Sequence, residues 1–137
     1  MNMDINDIMP PDWQLYNYTL ESFDKRLLAA YAKAKEKFPD IWVNLKDGKR
    51  VNNWCGLRSP SCAVGARNSA HKAGKALDMH SAKLGELRAW CESAEGLAAG
   101  ITRVEAASAT PTWVHIDIMP PNESKWSDRT KPYVFSP

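Results

Sequence analysis

From Glu21 to Phe38 the apolar residues Phe23, Leu27, Ala30, Tyr31 and Ala34 recur at steps of three and four, the period of an amphipathic helix. Lys25, Arg26, Lys33, Lys35 and Lys37 fill the opposite, solvated face. Ser22 and Asp24 stand where a helix begins, and Pro39 stands where it must stop. Residues 1–20 show no such period. They are polar, carry Pro10-Pro11 with scattered Trp13, Tyr16 and Tyr18, and are expected to lie across the domain as an arm.

After the helix the period shortens. Ile41 to Leu45 reads as a strand, Lys46-Asp47-Gly48-Lys49 as a turn, and Arg50 to Trp54 as a return strand, together a hairpin. Gly56 to Pro60 is a loop, and residues 61–70 are small, polar and irregular. Gly74 breaks any helix, and Ala76 to His80 alternate as a strand does, with Leu77 and Met79 toward the core. Leu84, Leu87, Trp90, Cys91 and Ala94 predict a helix over 81–98, ended by Gly100. Ile101–Glu105 and Trp113–Ile118 are strands, the second closed by Pro120-Pro121. The tail, with Trp126, Tyr133 and Phe135, is expected to pack back on the domain. This order defines an α+β fold, a small, mostly antiparallel sheet with helices packed on it. It makes an arm over 1–20 and a single domain over 21–137.

Composition narrows the class. The 137 residues suffice for one core, and 44% hydrophobic with 25% charged residues is ordinary for a globular protein. A net charge of +2 without a basic run argues against nucleic acid as a partner. No segment reaches the ~18 apolar residues of a membrane span. The N-terminus lacks the basic start and apolar stretch of a secretory signal, so the chain is expected to be cytoplasmic as synthesised, and a monomer. Cys55, Cys62 and Cys91, an odd count, are expected as free thiols, although Cys55 and Cys62 flank one loop that a bridge could close.

The chemistry lies in Ser69-Ala-His71-Lys-Ala-Gly74-Lys-Ala-Leu-Asp78 and in Trp113-Val-His115-Ile-Asp117. Two imidazoles and a carboxylate from separate segments are the donors of a catalytic zinc site, with three protein ligands and a fourth position for water. His115 and Asp117, two apart on a strand, share one face, with Trp113 on the same face to wall it. His80 shares a face with Asp78 and is an alternative ligand.

Gly56-Leu-Arg58-Ser-Pro60, Val64-Gly65, Ser69-x-His71-x-x-Gly74-x-Ala76-x-Asp78 and Trp113-Val-His115-Ile-Asp117 together resemble the zinc D-Ala-D-Ala metallopeptidase superfamily. That group includes D-Ala-D-Ala carboxypeptidases, vancomycin-resistance dipeptidases and phage L-alanyl-D-glutamate endolysins, and the zinc-binding domain of Hedgehog proteins shares its fold. The resemblance spans roughly residues 20–126. It implies one Zn2+ held by His71, Asp78 and His115, and a substrate carboxylate gripped by Arg58 and Ser69, for which a guanidinium fork and a hydroxyl are suited. Ser69 alone would equally bond the local backbone.

One position departs from the family pattern. Thr112 stands where many members carry an acidic general base, three before the last histidine. Asp117 and Glu105 are the candidates for that role, Asp117 being equally a partner that orients a ligand histidine. The expected function is a zinc peptidase cutting D-amino-acid-containing peptides of peptidoglycan, released to the wall in a phage-type setting. Its rivals are a zinc-containing binding or structural module without turnover, and a different amide hydrolase on the same scaffold.

Overall fold

The computed structural model describes residues 3–64 and 69–137; Gly65 of the Val64-Gly65 pair, and 65–68 of the stretch expected to be irregular, fall outside them. The elements in order are α1 (Ile5–Ile8), α2 (Lys25–Lys37), β1 (Leu45–Lys46), β2 (Lys49–Arg50), β3 (Ala76–Met79), α3 (Leu84–Cys91), α4 (Ala94–Ala99), β4 (Arg103–Glu105), β5 (Val114–Asp117) and β6 (Tyr133–Phe135). The architecture is α+β, with a two-stranded antiparallel hairpin and a four-stranded sheet of order β3-β5-β4-β6. Within the larger sheet, β5 runs antiparallel to both β3 and β4, and β6 runs parallel to β4.

Helix α2 buries the predicted stripe: Leu27, Ala30, Tyr31 and Ala34 are fully covered, and the Asp24 carboxylate caps its first turn by accepting from Arg26 N–H. The expected strand over 41–45 is reduced to its last residue, with Trp42 making only an isolated bridge to His80. The reason is Asp7. Its buried carboxylate accepts the backbone N–H groups of Val43, Asn44 and Leu45 and the Tyr31 hydroxyl, so those amides turn to one side chain instead of a neighbouring strand. The hairpin turn is at Asp47-Gly48, both at positive φ, as a two-residue hairpin requires.

Residues 7–9 therefore enter the core: Ile8 and Met9 are wholly buried beside Leu57 and Val43. The helix predicted over 81–98 is two helices. Ser93 interrupts it and caps α4, its hydroxyl accepting from Gly96 N–H, while Gly100 closes α4 at a left-handed φ of 113°. Ile101, Val104, Val114 and Ile116 form the apolar face of the sheet. On α3, Arg88 donates to the carbonyls of Glu105, Thr110 and Trp113, bracing the loop that joins β4 to β5. The tail contributes a strand, β6, that packing alone did not predict. Cys55, Cys62 and Cys91 are unbridged. No helix among the described residues is long and apolar enough to cross a membrane.

Candidate metal centre

The site forms where β3, β5 and the turn before β3 meet. Antiparallel pairing places Asp78 of β3 opposite His115 of β5. His71 arrives from a compact turn held by Lys72 N–H to Ser69 O, Gly74 N–H to His71 O and Lys75 N–H to Ala70 O. Gly74 has φ +69°, and a Cβ there would lie 2.2 Å from the Ser22 carbonyl oxygen, so only glycine lets this turn seat against the entry to α2. The same chain approach recurs at Gly56, where a Cβ would lie 2.1 Å from Ile8 O; the bare backbone leaves the Gly56 carbonyl aimed at His71.

His71, Asp78 and His115 are all buried, and one donor atom from each lies within 4.8 Å of the others. Asp78 Oδ1 is 3.2 Å from His71 Nε2 and 2.9 Å from His115 Nδ1. Donors about 2.1 Å from a tetrahedral ion stand about 3.4 Å apart, close to the two distances from Asp78. The remaining ring nitrogens are held from behind. His71 Nδ1 is 3.0 Å from the Gly56 carbonyl, which fixes the proton on Nδ1 and turns Nε2 to the centre. His115 Nε2 is 2.9 Å from Asp117 Oδ2, which turns Nδ1 inward. This pattern, a ligand imidazole backed by a carbonyl or carboxylate, is that of metal-ligating histidines. The group can hold a metal ion.

The electrostatics fit a site that waits for a cation. Burial would raise the Asp78 carboxyl, but hydrogen bonds from His115 and His71 outweigh it and keep the group well below the usual carboxylate range. Burial would lower His115, but hydrogen bonds to Asp117 and Asp78 push it up to about 9. Without metal, both its nitrogens donate to carboxylates.

Asp117 and Glu105 occupy different positions. Asp117 is fully buried; Arg103 Nε and Nη2 clasp its two oxygens at 2.8 Å each, and one of them also accepts from His115. Burial raises this carboxyl, and the His115 and Arg103 bonds more than reverse that. It lies behind His115, away from the converging donors. Glu105 lies on the other side: its Oε2 is 4.0 Å from Nδ1 of His115, the nitrogen that faces Asp78, and its side chain is partly exposed. Arg103, two residues from Glu105 on β4, is committed to Asp117, because β4–β5 pairing sets those two directly opposite.

A cleft of about 410 Å³ opens beside the group, with Asn52, Trp54, Arg58, His80, Thr112 and Trp113 in its lining. Arg58 Nε donates to the Trp54 carbonyl at 2.7 Å, and Nη2 is 3.5 Å from Asp78 Oδ2. Ser69 Oγ accepts from His71 N–H at 3.2 Å, so the hydroxyl shapes the turn that delivers His71. Trp113 is half-buried at the rim, and Thr112 is exposed there. His80 is outside the converging group. Its Nε2 faces Asn52 Nδ2 at 3.2 Å and Cys55 Sγ at 3.8 Å, and its ring packs edge-on against Trp42. Burial and the Asp78 charge raise the Cys55 thiol to about 12, so it stands protonated beside His80.

Sequence reasoning missed Arg103, Gly56 and Phe135 as parts of this neighbourhood. Alternation on β4 places Arg103 on the Glu105 face and was available as a signal; the Gly56 carbonyl and Phe135 depend on tertiary approach alone. No family model, no curated protein and no solved structure matches this chain.

Proposed function

We propose that this chain is a zinc-dependent amide hydrolase, and more narrowly a peptidase acting on D-amino-acid-containing peptides of bacterial peptidoglycan. The observation that carries the first step is the convergence of His71 Nε2, Asp78 Oδ1 and His115 Nδ1, each ring fixed from behind, with the partly exposed Glu105 carboxylate 4.0 Å from His115 Nδ1. Two nitrogens and one oxygen are a donor set suited to zinc with an open position. The motif resemblance supports the narrower step.

When bound, zinc polarises a carbonyl oxygen and lowers the pKa of a bound water to roughly 7. Glu105, 4.0 Å from the Nδ1 of His115 that faces Asp78, would accept the proton of the attacking water and return it to the leaving amine. Asp117 holds the His115 ring in orientation and takes no proton from substrate. Arg58, anchored through Nε on the Trp54 carbonyl, lines the cleft with Nη1 on the Val64 carbonyl at 3.4 Å and Nη2 3.5 Å from Asp78, long contacts that a substrate carboxylate would replace. Trp113 walls the cleft on the β5 side.

The test is digestion of purified sacculi with zinc-loaded protein and identification of new termini by mass spectrometry. New amine and carboxyl ends that disappear with His71→Ala support the reading and identify the bond. Stoichiometric zinc and wall binding without new ends would replace it with a non-hydrolytic module.

A further inference from the structure

We infer that Arg103 and Phe135 form a positioning pair that sets metal affinity, so that the C-terminal strand β6 is part of the metal centre. This inference rests on the metal-binding reading of His71, Asp78 and His115. Neither residue touches the converging donors; each acts through another side chain.

The connection is continuous. Asp117 orients His115 through Nε2 at 2.9 Å, and Asp117 is itself oriented by the two-pronged grip of Arg103, both contacts at 2.8 Å, beside a longer bond from Met119 N–H to Oδ1 at 3.1 Å. The backbone N–H alone leaves the carboxylate room to tilt; a charged guanidinium fork in line with both oxygens fixes its plane. Arg103 in turn is a long side chain that needs its own constraint. Phe135 supplies it: the guanidinium carbon lies 4.0 Å from the Phe135 ring centroid, within stacking range. The same ring meets His115 edge-on with centroids 5.8 Å apart. Phe135 thus touches both the residue that grips Asp117 and the histidine that Asp117 aims.

Strand pairing explains how the ring gets there. β6 is parallel to β4, with Tyr133 beside Arg103 and Phe135 beside Glu105. Ala106 N–H bonds to Phe135 O at 2.8 Å and Tyr133 N–H to Thr102 O at 2.9 Å, so the register is held at both ends. β6 is an edge strand of three residues, paired on one side only. Its docking and the orientation of His115 are therefore coupled through one aromatic ring.

Three variants test this with metal affinity as readout, measured by competition against a chromophoric zinc chelator, and with the visible spectrum of the cobalt-substituted protein as a report on ligand geometry. Phe135→Leu keeps the apolar contact but removes the ring face. Arg103→Lys keeps the charge but removes the fork. Arg103→Gln combined with Asp117→Asn avoids leaving a buried carboxylate unpaired and guards against simple misfolding. Outer partners of metal ligands typically change affinity by about 10–100-fold. Arg103→Lys and the double variant are expected to weaken zinc in that range, and Phe135→Leu by about threefold to tenfold, each with an altered cobalt spectrum and a cooperative melting transition. Val134→Ala, exposed on the same strand, is expected to leave affinity unchanged. Wild-type affinity and an unchanged cobalt spectrum in all three folded variants would overturn the inference. If wild-type protein itself bound no zinc, the metal reading would fall first, and this inference with it.

Discussion

His115 should exchange a proton for a metal ion, and the consequence can be worked out. In the metal-free protein its pKa is pushed up to about 9 from an ordinary 6.5. The sign follows from linkage: a raised folded-state pKa stabilises the fold fully below the unfolded value, and that stabilisation is lost as pH climbs through about 9. The difference corresponds to roughly 3 kcal/mol, shared with Asp78 and Asp117, whose carboxylates supply it. Zinc must displace this proton, since Nδ1 cannot hold both. At pH 7 the proton occupies the ring in about 99% of molecules, which weakens apparent zinc affinity about 100-fold relative to a fully deprotonated ring and about 50-fold relative to pH 9. Metal-free protein should therefore melt at lower temperature as pH rises from 6.5 to 9, while zinc affinity strengthens about tenfold per unit from pH 7 to 8.5. Chelator competition across that range gives the slope, and a carbon–proton NMR titration of the His115 ring gives the midpoint. A midpoint near 6.5, or an affinity independent of pH between 7 and 8.5, would refute the reasoning.

Glu105→Gln should lower peptide hydrolysis by about 10²–10⁴-fold while zinc stoichiometry stays at one, read by steady-state assay and metal analysis of the same sample. Asp7→Ala strands the backbone N–H groups of Val43 and Leu45, while Asn44 N–H keeps the carbonyl of residue 7, and should cost roughly 2–6 kcal/mol in urea denaturation, with the Val43 and Leu45 amides losing hydrogen-exchange protection. Gly74→Ala forces a side chain into positive φ and against Ser22 O, and should cost more than about 2 kcal/mol with zinc affinity falling in parallel, because the same turn carries His71. A Gly74→Ala protein as stable as wild type would show that the turn relaxes.

How far the sequence reads through to this structure depends on the range of the interactions involved. Alternation on Ala76–Met79 and Val114–Asp117 is a local signal, and both strands form; the helix at 25–37 was legible for the same reason. The residues that converge were nominated by the motif resemblance carried on those strands and the turn before β3. Most of what escaped was long-range. Asp7 looks like one more acid in a polar leader, yet it takes the amides that an apolar run at 41–45 would have given to a strand. Ser93 splits a helix whose hydrophobic period runs through it, because its hydroxyl caps a new start. β6 pairs in parallel with β4, a contact between residues thirty positions apart that no local pattern encodes. Asp117 carried both readings, base and orienting partner, in the sequence; its burial against Arg103 supports the second.

The central claim, a zinc ion held by two imidazoles and one carboxylate, is tested most directly by zinc K-edge X-ray absorption on the metal-loaded protein. The account predicts only nitrogen and oxygen neighbours at about 2.0–2.2 Å, with imidazole scattering from two histidines that drops to one in His115→Ala. A sulfur neighbour at about 2.3 Å, which would place the ion at Cys55 beside His80, or a spectrum unaltered by His115→Ala, would contradict it.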